Sequence, residues 1–423
     1  MTVRPPPVTG MARGLRLGRA AFEAGAQGVL ERLAPGSTEE ARGVRPSRVL
    51  MTALMELRGA ALKVAQFLSL ESDLLPEAVA REFAQACHRV PPMGPEFARN
   101  MVRQQIGPIE RHFGSFESTP FASASLGQVH AATTLDGRAV AVKIQYPGMS
   151  ESVRSDLRLL RRAAALLAHS AHYRRLLNEV EIRLLEECDY DLEAESIAWF
   201  RERLTVEGVS VPEVLLPLSA SAVLTTTRMP GLHLDAWLGT DPDQEQRDRA
   251  GQRLYDVFVQ SMHVLGRLHA DPNPGNVLFD GEAHVGLIDF GCTRWIPTDY
   301  QGIVTRIWRA AIAGDDDAAH AVYLEMGLFA HLSQEDGRRV DQASLKPFRD
   351  WLATPFQVHR FDFGGRPDFI AEGRRRFVRM LEDDALVGIR PEFVLVNRTL
   401  YGLYRMFERL RARVHCQTAW TCG

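Results

Sequence analysis

Apolar residues near the start of the chain recur with helical spacing. Residues 11–33 carry an apolar face, loosened by glycines, formed by Leu15, Phe22, Ala26, Val29 and Leu33. A longer pattern begins at Ser47, and its stripe consists of Val49, Leu50, Ala53, Leu54, Leu57, Ala61, Val64 and Leu68. Opposite that stripe lie Gly59, Lys63, Gln66 and Leu70. The second pattern predicts a helix with one core face and one face on which Lys63 and Gln66 either meet a polar partner or are simply solvated.

A strand pattern follows at residues 120–148. Asp136-Gly137 is a hairpin turn signal between residues 129–131 and residues 140–142, which alternate or are β-branched. Ahead of the hairpin is a run of mostly small residues, whose backbone N–H groups can approach phosphate oxygens: Ala122, Ser123, Ala124, Ser125, Leu126 and Gly127. Lys143 is predicted to end the second strand. The same order of loop, hairpin and strand lysine occurs in the small lobe of kinases, although such turns are common elsewhere.

The middle of the chain alternates helical and strand patterns. Residues 152–204 are predicted to be helical and contain the acidic stretch EECDYDLEAE, with Glu187, Asp189, Glu193 and Glu195. Aromatic neighbours such as Tyr190 indicate that part of this stretch is buried, so a carboxylate facing Lys143 is an alternative to an ordinary solvated face. Residues 211–224 are interpreted as buried strands, residues 225–231 as a connector and residues 248–269 as a helix.

A polar turn at residues 268–279, LHADPNPGNVLF, precedes an apolar segment. Asp271 and Asn276 are five positions apart, the spacing of a kinase catalytic-loop Asp and its metal-binding Asn. Asp289-Phe290-Gly291 follows the apolar strand predicted at residues 284–288. The amide of Asn276 and the carboxylate of Asp289 are thus predicted to flank one hairpin-like loop, and Mg²⁺ takes such oxygens together with phosphates. The alternative is a turn that only leads into a buried strand.

A second Asp-Phe-Gly, at residues 362–364, serves as an internal control. It has no apolar strand before it and no upstream Asp and Asn at the same spacing. The tripeptide alone therefore carries little information, and only the first copy, with Asp289, is retained as a candidate metal ligand.

Composition narrows the class of protein. A chain of 423 residues with 45% hydrophobic and 24% charged residues is typical of a globular protein with two or three domains. A net charge of -3 gives no reason to expect nucleic acid as a partner, and five scattered cysteines favour a reducing compartment. No apolar run approaches the roughly 20 residues of a transmembrane helix, so none is predicted.

The first 22 residues contain four arginines and no acid. This pattern is shared by organelle transit peptides and basic surface helices, but only two hydroxyl residues are present, which disfavours a transit peptide. A helix docked on the protein and a helix on a membrane surface remain as alternatives. The predicted location is cytoplasmic, with peripheral contact at the inner membrane surface as a variant, and organelle targeting is less favoured.

Six motifs, in this order, resemble the UbiB-type atypical kinases, also called aarF-domain-containing kinases: ALKVAQFLS, ASASLGQVH, VAVKIQYPG, ECDYDLEAE, HADPNPGN and LIDFGCTR. The resemblance spans residues 46–414. It implies an α+β fold, an atypical protein-kinase-like fold of two lobes with an N-terminal helical extension. We expect a basic segment and linker at residues 1–45, the helical extension at 46–110, the N-lobe at 111–230 and the C-lobe at 231–423. The chain has no GxxxxGK[ST], which excludes a P-loop NTPase.

Site roles follow from the resemblance. The Lys-x-Gly-Gln motif of the family matches Lys63 and Gln66, which are expected to face the Glu-x-Asp motif at Glu187 and Asp189. Lys143 is implied to pair with Glu193 and with nucleotide phosphates, Asp271 to be the catalytic Asp, and Asn276 and Asp289 to hold Mg²⁺. The predicted nucleotide-binding residues are Ala122, Ser123, Ala124, Ser125, Leu126, Gly127, Lys143, Thr227 and Met229. Two positions depart from the family pattern: Ala65 replaces a Gly, which makes the seating of the Lys63 helix less certain, and Asn273 replaces a common His.

The resemblance also implies a function. ATP and Mg²⁺ are the expected cofactors, and the Lys63 helix is expected to cover the place where a protein kinase seats a peptide. The leading hypothesis is an ATP-dependent atypical kinase or ATPase that supports isoprenoid-quinone biosynthesis, with quinone-biosynthesis enzymes or prenyl-lipid intermediates as partners. The alternatives are a nucleotide-sensing lipid-binding or chaperone-like module and a phosphotransferase for a small metabolite unrelated to quinones.

Overall fold

The computed structural model describes residues 94–418, apart from 125, 152, 155–156, 159–180, 182–183, 384 and 387–389. The predicted N-terminal helices, with Lys63 and Gln66, lie outside the described residues, and so does Ser125. The described residues fall into two compact units, one with residues up to Leu192 together with Val214–Thr227, the other with Glu193–Glu213 and all residues from Arg228. The domain limits expected at residues 45, 110 and 230 stay predictions.

The described elements are mixed in type. The helices, in chain order, are α1 (Pro95–Ile106), α2 (Tyr190–Arg203), α3 (Leu234–Leu238), α4 (Gln244–Val259), α5 (Thr298–Ala313), α6 (Asp316–Glu325), α7 (Gln334–Val340), α8 (Lys346–Ala353), α9 (Phe369–Glu382) and α10 (Pro391–Leu410). The strands are β1 (Phe113–Phe116), β2 (Ala122–Ala124), β3 (Gly127–Thr134), β4 (Ala139–Gln145), β5 (Val209–Ser210), β6 (Val223–Thr227), β7 (Arg267–His269), β8 (Val277–Phe279), β9 (Val285–Leu287), β10 (Thr293–Trp295), β11 (Phe361–Asp362) and β12 (Arg413–Val414). Among the described helices, none is long and apolar enough to cross a membrane.

The first unit is built on an antiparallel sheet. Its strand order is β1-β3-β4-β6, and β2 pairs with β3. Alternate residues of β4, Val140, Val142 and Ile144, are fully buried, because successive side chains of a strand point to opposite faces. The amphipathic helix α1 contributes Ala98 and Val102 to the same core. This face of the sheet is therefore covered by α1.

The hairpin predicted at Asp136-Gly137 is confirmed by the pairing of β3 with β4. Gly137 has a φ of 88°, a conformation that glycine adopts without strain. The run of small residues before it is not the loop that the sequence indicated, since Ala122–Ala124 forms β2 and folds back onto β3. The connector expected at residues 225–231 is also partly wrong, because β6 extends to Thr227 and pairs with β4.

In the second unit, the short helix α3 is followed by α4. Asp243 caps this helix, because its carboxylate accepts a hydrogen bond from the backbone N–H of Gln246 at 2.8 Å and the Gln246 side chain accepts one from the N–H of Asp243 at 2.8 Å. Beyond α4 the chain makes a π-helical turn, Gln260–Val264, and then the strand β7. The helix predicted over residues 248–269 is therefore wrong for its last residues, Arg267–His269, which pair with β10.

Three small sheets complete the second unit. β8 pairs antiparallel with β9, and β5 joins β9 in parallel, which confirms the apolar strand expected before Asp289. β7 pairs with β10, and β11 with β12. The second Asp-Phe-Gly begins in β11, and its Phe363 is 1% exposed, with its ring centroid 5.1 Å from those of Tyr404 and Phe407. That copy contributes to the hydrophobic core.

A buried ion network joins α6, the π-helical turn Asp341–Leu345 and α8. Arg349 donates to Asp341 at 3.1 Å and to Asp316 at 2.9 Å, and the side chains of Arg349 and Asp341 are 4% and 0% exposed. His320 contacts the second carboxylate oxygen of Asp341 at 2.8 Å. We call these four residues the Arg349 network. Each charge in it has an oppositely charged or hydrogen-bonding neighbour, as buried charges require.

Candidate active site

The polar turn after β7 brings Asp271 and Asn276 into direct contact. The side-chain amide of Asn276 donates to the Oδ2 atom of Asp271 at 2.6 Å. Two backbone bonds tighten the turn, from Asn273 N to Asp271 O at 2.8 Å and from Asn276 N to Asn273 O at 2.9 Å. The side chain of Asn273 also accepts from the N–H of Gly275 at 2.9 Å. The turn is thus a closely bonded loop in which the carboxylate predicted to be catalytic is oriented by the neighbouring amide.

Asp289 lies at the same end of the β8–β9 hairpin as Asn276. Val277 pairs with Leu287, and the N–H of Ile288 donates to the carbonyl of Asn276 at 3.0 Å. The predicted proximity of Asn276 and Asp289 at the open end of one hairpin is therefore present. Asp289 accepts from the N–H of Gly291 at 3.0 Å, which holds its carboxylate in the turn after the strand.

The donor set at this end of the hairpin suits a hard dication. The Nδ2 atom of Asn276 donates to Asp271, so Oδ1 is the atom of the amide that would coordinate a metal. Asp289 supplies carboxylate oxygen. Mg²⁺ is usually bound by one or two such protein oxygens together with phosphates and water, so the chemistry of these residues fits a magnesium nucleotide.

His269 holds the backbone of Asp289 by a hydrogen bond. Its Nε2 atom donates to the backbone carbonyl of Asp289 at 2.8 Å, and burial lowers the pKa of the imidazole, which keeps it neutral near pH 7. The ring of Phe290 meets that of His269 edge to face at 5.1 Å, and Phe200 of α2 lies 5.3 Å from Phe290. The backbone of Asp289 is thus held by its hydrogen bond with His269 and by the packing of the adjacent Phe290.

A half-buried histidine, His263, predicts acid sensitivity. Burial lowers the pKa of His263, in the π-helical turn before β7, to about 4. In the unfolded chain, the histidine has an ordinary pKa near 6.5. Between pH 6.5 and about pH 4 the unfolded chain therefore binds a proton at His263 that the folded chain does not bind, so the free energy of unfolding falls as the pH falls through this range. We expect His263 alone to remove roughly 2 kcal/mol between pH 7.5 and pH 5.

The measurement is the urea midpoint at pH 7.5 and pH 5 for the wild type and His263→Gln. The variant should lose clearly less stability on acidification. His331, which is exposed, gives the matched control, because His331→Gln should keep the wild-type pH dependence. Equal acid sensitivity in all three proteins would contradict the assignment.

Lys143 and the predicted nucleotide loop belong to the first unit. Lys143 lies in β4 between Val129 and Leu224 on the neighbouring strands, and its Nζ atom is 5.2 Å from the centre of the Tyr190 ring. Gly127 begins β3, where a Cβ atom would stand 2.2 Å from the carbonyl oxygen of Ile144, so only glycine fits. The strands therefore bring Lys143 and the end of the small-residue run onto one sheet.

The acidic stretch is divided by a break in the predicted helix. Glu187 ends a helical segment, Cys188 and Asp189 form the break, and α2 begins at Tyr190. The Oδ1 atom of Asp189 accepts from the N–H groups of Asp191 at 3.2 Å and Leu192 at 3.1 Å, which is the role of a helix cap. Burial raises the pKa of the Cys188 thiol to about 11. Asp189 thus has a structural task beside its predicted active-site role.

The remaining candidates are distributed over both units. Glu193 is 3% exposed in α2 and belongs to the second unit, whereas Lys143 belongs to the first. Thr227 is the last residue of β6 and pairs with Val140. The Cε atom of Met229 would lie 3.5 Å from a Cβ atom on Gly286, so its side chain packs against β9. The pairing of Lys143 with Glu193 and the nucleotide contacts of Thr227 and Met229 stay predictions.

Sequence reasoning missed two residues of the site. His269 stands two positions before Asp271, and its position in LHAD is the one signal that indicated a role. Tyr190 was noted only as a sign of burial, yet its ring faces Lys143. Both act through contacts between residues that are distant in sequence.

Comparison with known proteins identifies relatives over most of the chain. A family model described as the ABC1 atypical kinase-like domain matches residues 85–323. The "Atypical kinase coq-8, mitochondrial" of Caenorhabditis elegans is 28% identical over 87% of this chain and 49% of that protein, and the "Atypical kinase COQ8, mitochondrial" of Saccharomyces cerevisiae is 26% identical over 85% and 72%. The "Probable protein kinase UbiB" of Xylella fastidiosa is 31% identical over 65% of this chain and 49% of that protein. The chain thus spans about half the length of two of these three relatives.

A solved structure is similar to this chain in both sequence and fold. Rv3197 of Mycobacterium tuberculosis, determined as a complex with erythromycin, is 27% identical and covers 88% of this chain and 94% of its own, with a TM-score of 0.61. The expected kinase-like α+β fold is therefore confirmed. Two of the relatives are named as mitochondrial proteins, whereas the cytoplasmic location expected here stays a prediction. Because the matched family model covers more than half of its residues, the chain belongs to the ABC1 atypical kinase-like family, the family of the UbiB-type kinases.

Proposed function

We propose that this protein binds Mg·ATP and uses its terminal phosphoryl group in support of isoprenoid-quinone biosynthesis of the ubiquinone type, without phosphorylating proteins. The observation that carries the proposal is the hydrogen bond of 2.6 Å between Asn276 and Asp271, beside Asp289 at the end of the β8–β9 hairpin. This arrangement provides an oriented carboxylate next to two oxygen ligands. Such an arrangement is the chemical requirement of phosphoryl transfer.

Each residue has a role in this reaction. Asp271 orients or deprotonates the acceptor, which is water or a hydroxyl group. Asn276 and Asp289 hold the dication, which supplies positive charge to the phosphate oxygens when bound. Lys143 and the backbone of residues 122–127 contact the phosphates, and Thr227 and Met229 contact the nucleotide. Little covalent chemistry is asked of the protein, because positioning and charge stabilisation supply most of the rate.

The remaining candidate residues hold Lys143 in place or restrict the access of substrates to the active site. Glu193 pairs with Lys143, while Lys63 and Gln66 meet Glu187 and Asp189 and cover the place of a peptide substrate. This part of the proposal is supported by the resemblance of the motifs and by the family membership. The partners are enzymes or prenyl-lipid intermediates of quinone biosynthesis, which the protein meets through peripheral membrane contact.

A second candidate function is a nucleotide-regulated binding module for lipids or other small organic molecules. It is favoured by the M. tuberculosis relative, whose structure holds erythromycin. In this case nucleotide hydrolysis would be incidental to binding. The experiment below separates the two functions, because both need Asp289 to bind Mg·ATP, whereas only an enzyme or a hydrolysis-driven factor needs Asp271.

The test is the quinone profile of a deletion strain complemented with three versions of the protein. Wild type should restore the quinone content, and Asp271→Asn should not. Asp362→Asn, in the second Asp-Phe-Gly, is the control for an Asp→Asn exchange away from the site and should restore it. An unchanged profile in the deletion strain would remove the link to quinones, and rescue by Asp271→Asn would favour the binding module.

A further inference from the structure

Helix α10 contacts the residues on both sides of Asp271. A Cβ atom built on Gly402 would stand 2.6 Å from the Cγ atom of Pro272 and 3.7 Å from its Cβ and Cδ atoms. One turn earlier, the hydroxyl of Thr399 lies 3.5 Å from the carbonyl oxygen of Ala270, while it donates to Leu395 O at 2.9 Å. Thr399 and Ala270 are 1% and 0% exposed. The helix therefore touches the chain immediately before and immediately after the carboxylate.

The close approach depends on the absence of a side chain at position 402. Glycine inside a helix is about 1 kcal/mol less favourable than alanine, so helix formation by itself gives no reason for Gly402. The neighbour is a proline ring, which cannot rotate away as the end of a flexible side chain would. Ordinary contact begins at 3.4 Å, so a methyl group at Gly402 would require a shift of about 0.8 Å between helix and loop.

The helix is better anchored than the loop. Tyr404, half a turn from Gly402, donates its hydroxyl to the carbonyl of Leu352 at 2.9 Å, and the ring of Tyr401 stacks on that of Phe377 at 6.0 Å. A larger residue at position 402 should thus move Pro272 rather than α10. Because Asp271 O accepts from Asn273 N and Asp271 Oδ2 accepts from Asn276, a displaced Pro272 also changes the alignment of these two groups.

We propose that α10 positions the catalytic loop, with Gly402 and Thr399 as positioning residues that fix Asp271 through its neighbours Pro272 and Ala270. The proposal rests on the phosphoryl-transfer function assigned above to Asp271. Gly402 and Thr399 are not among the residues assigned above to the nucleotide or the metal. Their effect is on how well Asp271 is aligned with the reacting groups, for which a misplacement of about 1 Å costs on the order of 100-fold in rate.

The test compares the steady-state hydrolysis of Mg·ATP by four variants. Gly402→Ala should lower kcat by about 10- to 100-fold with KM changed less than about threefold, because loop alignment and not nucleotide binding is altered. Adding Pro272→Ala removes the Cγ atom and should restore most of the lost kcat. Gly302→Ala, in α5, where an added Cβ atom would meet nothing beyond its own helix within 4 Å, should leave kcat unchanged.

Gly251, another glycine with close neighbours, distinguishes a loss of loop alignment from a general loss of packing. A Cβ atom on Gly251 of α4 would meet the Cβ atom of Ala412 at 2.7 Å, so Gly251→Ala should lower the melting temperature while kcat stays close to wild type. Hydrogen exchange of residues 270–276, followed by mass spectrometry, should accelerate in Gly402→Ala and not in Gly251→Ala.

The outcomes are distinct. The proposal is overturned if Gly402→Ala hydrolyses ATP like the wild type, if Pro272→Ala gives no rescue, or if Gly251→Ala loses as much kcat. If the wild type shows no hydrolysis, water is not the acceptor, and the exchange of residues 270–276 then decides the coupling alone, with unchanged exchange in Gly402→Ala overturning it. The proposed function itself is tested separately by the quinone profile.

Discussion

Asp289→Asn should abolish the stabilisation of this protein by Mg·ATP. The amide of an asparagine can still accept the hydrogen bond from Gly291, which Asp289 accepts at 3.0 Å, so the local backbone should remain intact. The negative charge that attracts the dication is lost. Ligand at about 100 times its dissociation constant adds roughly 2.7 kcal/mol, which corresponds to a rise in melting temperature of roughly 5–10 °C for the wild type. Thermal shift with Mg·ATP, and with ATP plus a chelator, measures the difference.

The second Asp-Phe-Gly supplies the control for this experiment. Asp362 accepts a hydrogen bond from the N–H of Gly365 at 2.9 Å, much as Asp289 accepts one from Gly291, and it also follows an apolar residue. Asp362→Asn should therefore keep the full shift with Mg·ATP. A shift that survives in Asp289→Asn, or that disappears equally in both variants, would show that Asp289 does not hold the metal.

Asp271→Asn should lower kcat for phosphoryl transfer by about 10²- to 10⁴-fold, the usual contribution of a general base. An asparagine oxygen can still accept from Asn276, so the loop should keep its shape and Mg·ATP should still raise the melting temperature. The loss would then lie in the chemical step. Phosphate release in a single turnover measures the rate, and thermal shift measures the retained binding.

Asn273 gives a matched control within the same loop. Its side chain accepts from Gly275 N at 2.9 Å, whereas its bond with Asn276 is made by its backbone carbonyl, which an alanine keeps. Asn273→Ala should reduce kcat less than about fivefold, as loss of one exposed turn bond implies. If Asn273→Ala were as inactive as Asp271→Asn, the shape of the loop and not the carboxylate would explain the loss.

Turn residues and short apolar runs predicted the hairpins and turns, because these elements form between residues that are close in sequence. Asp136-Gly137 selects its hairpin because glycine alone takes the required φ without strain, and the apolar strand before Asp289 is bounded by turn residues. The spacing of five positions between Asp271 and Asn276 predicted their proximity for the same reason, since both belong to one short turn.

Elements that depend on distant partners were not predictable in this way. Arg267–His269 continued the apolar spacing of α4, and it forms a strand only because Thr293–Trp295 pairs with it. Thr225–Thr227 resembled a connector but completes the sheet beside β4, more than 80 positions earlier. The contact of Gly402 with Pro272 joins residues 130 positions apart, and no pattern of spacing predicts such a contact.

The Arg349 network constrains how the sequence can change over generations. Removing a single member, such as Asp341, would leave the buried Arg349 with only one of its two close carboxylate partners, at a cost of up to about 3–5 kcal/mol, whereas exchanging the whole set for apolar residues is often neutral or favourable. A lineage that alters these positions must therefore pass through a poorly folded intermediate or change several positions together. Substitutions at residues 316, 320, 341 and 349 should accordingly appear as linked sets, and a library that varies them jointly should yield folded sequences that single-site libraries miss.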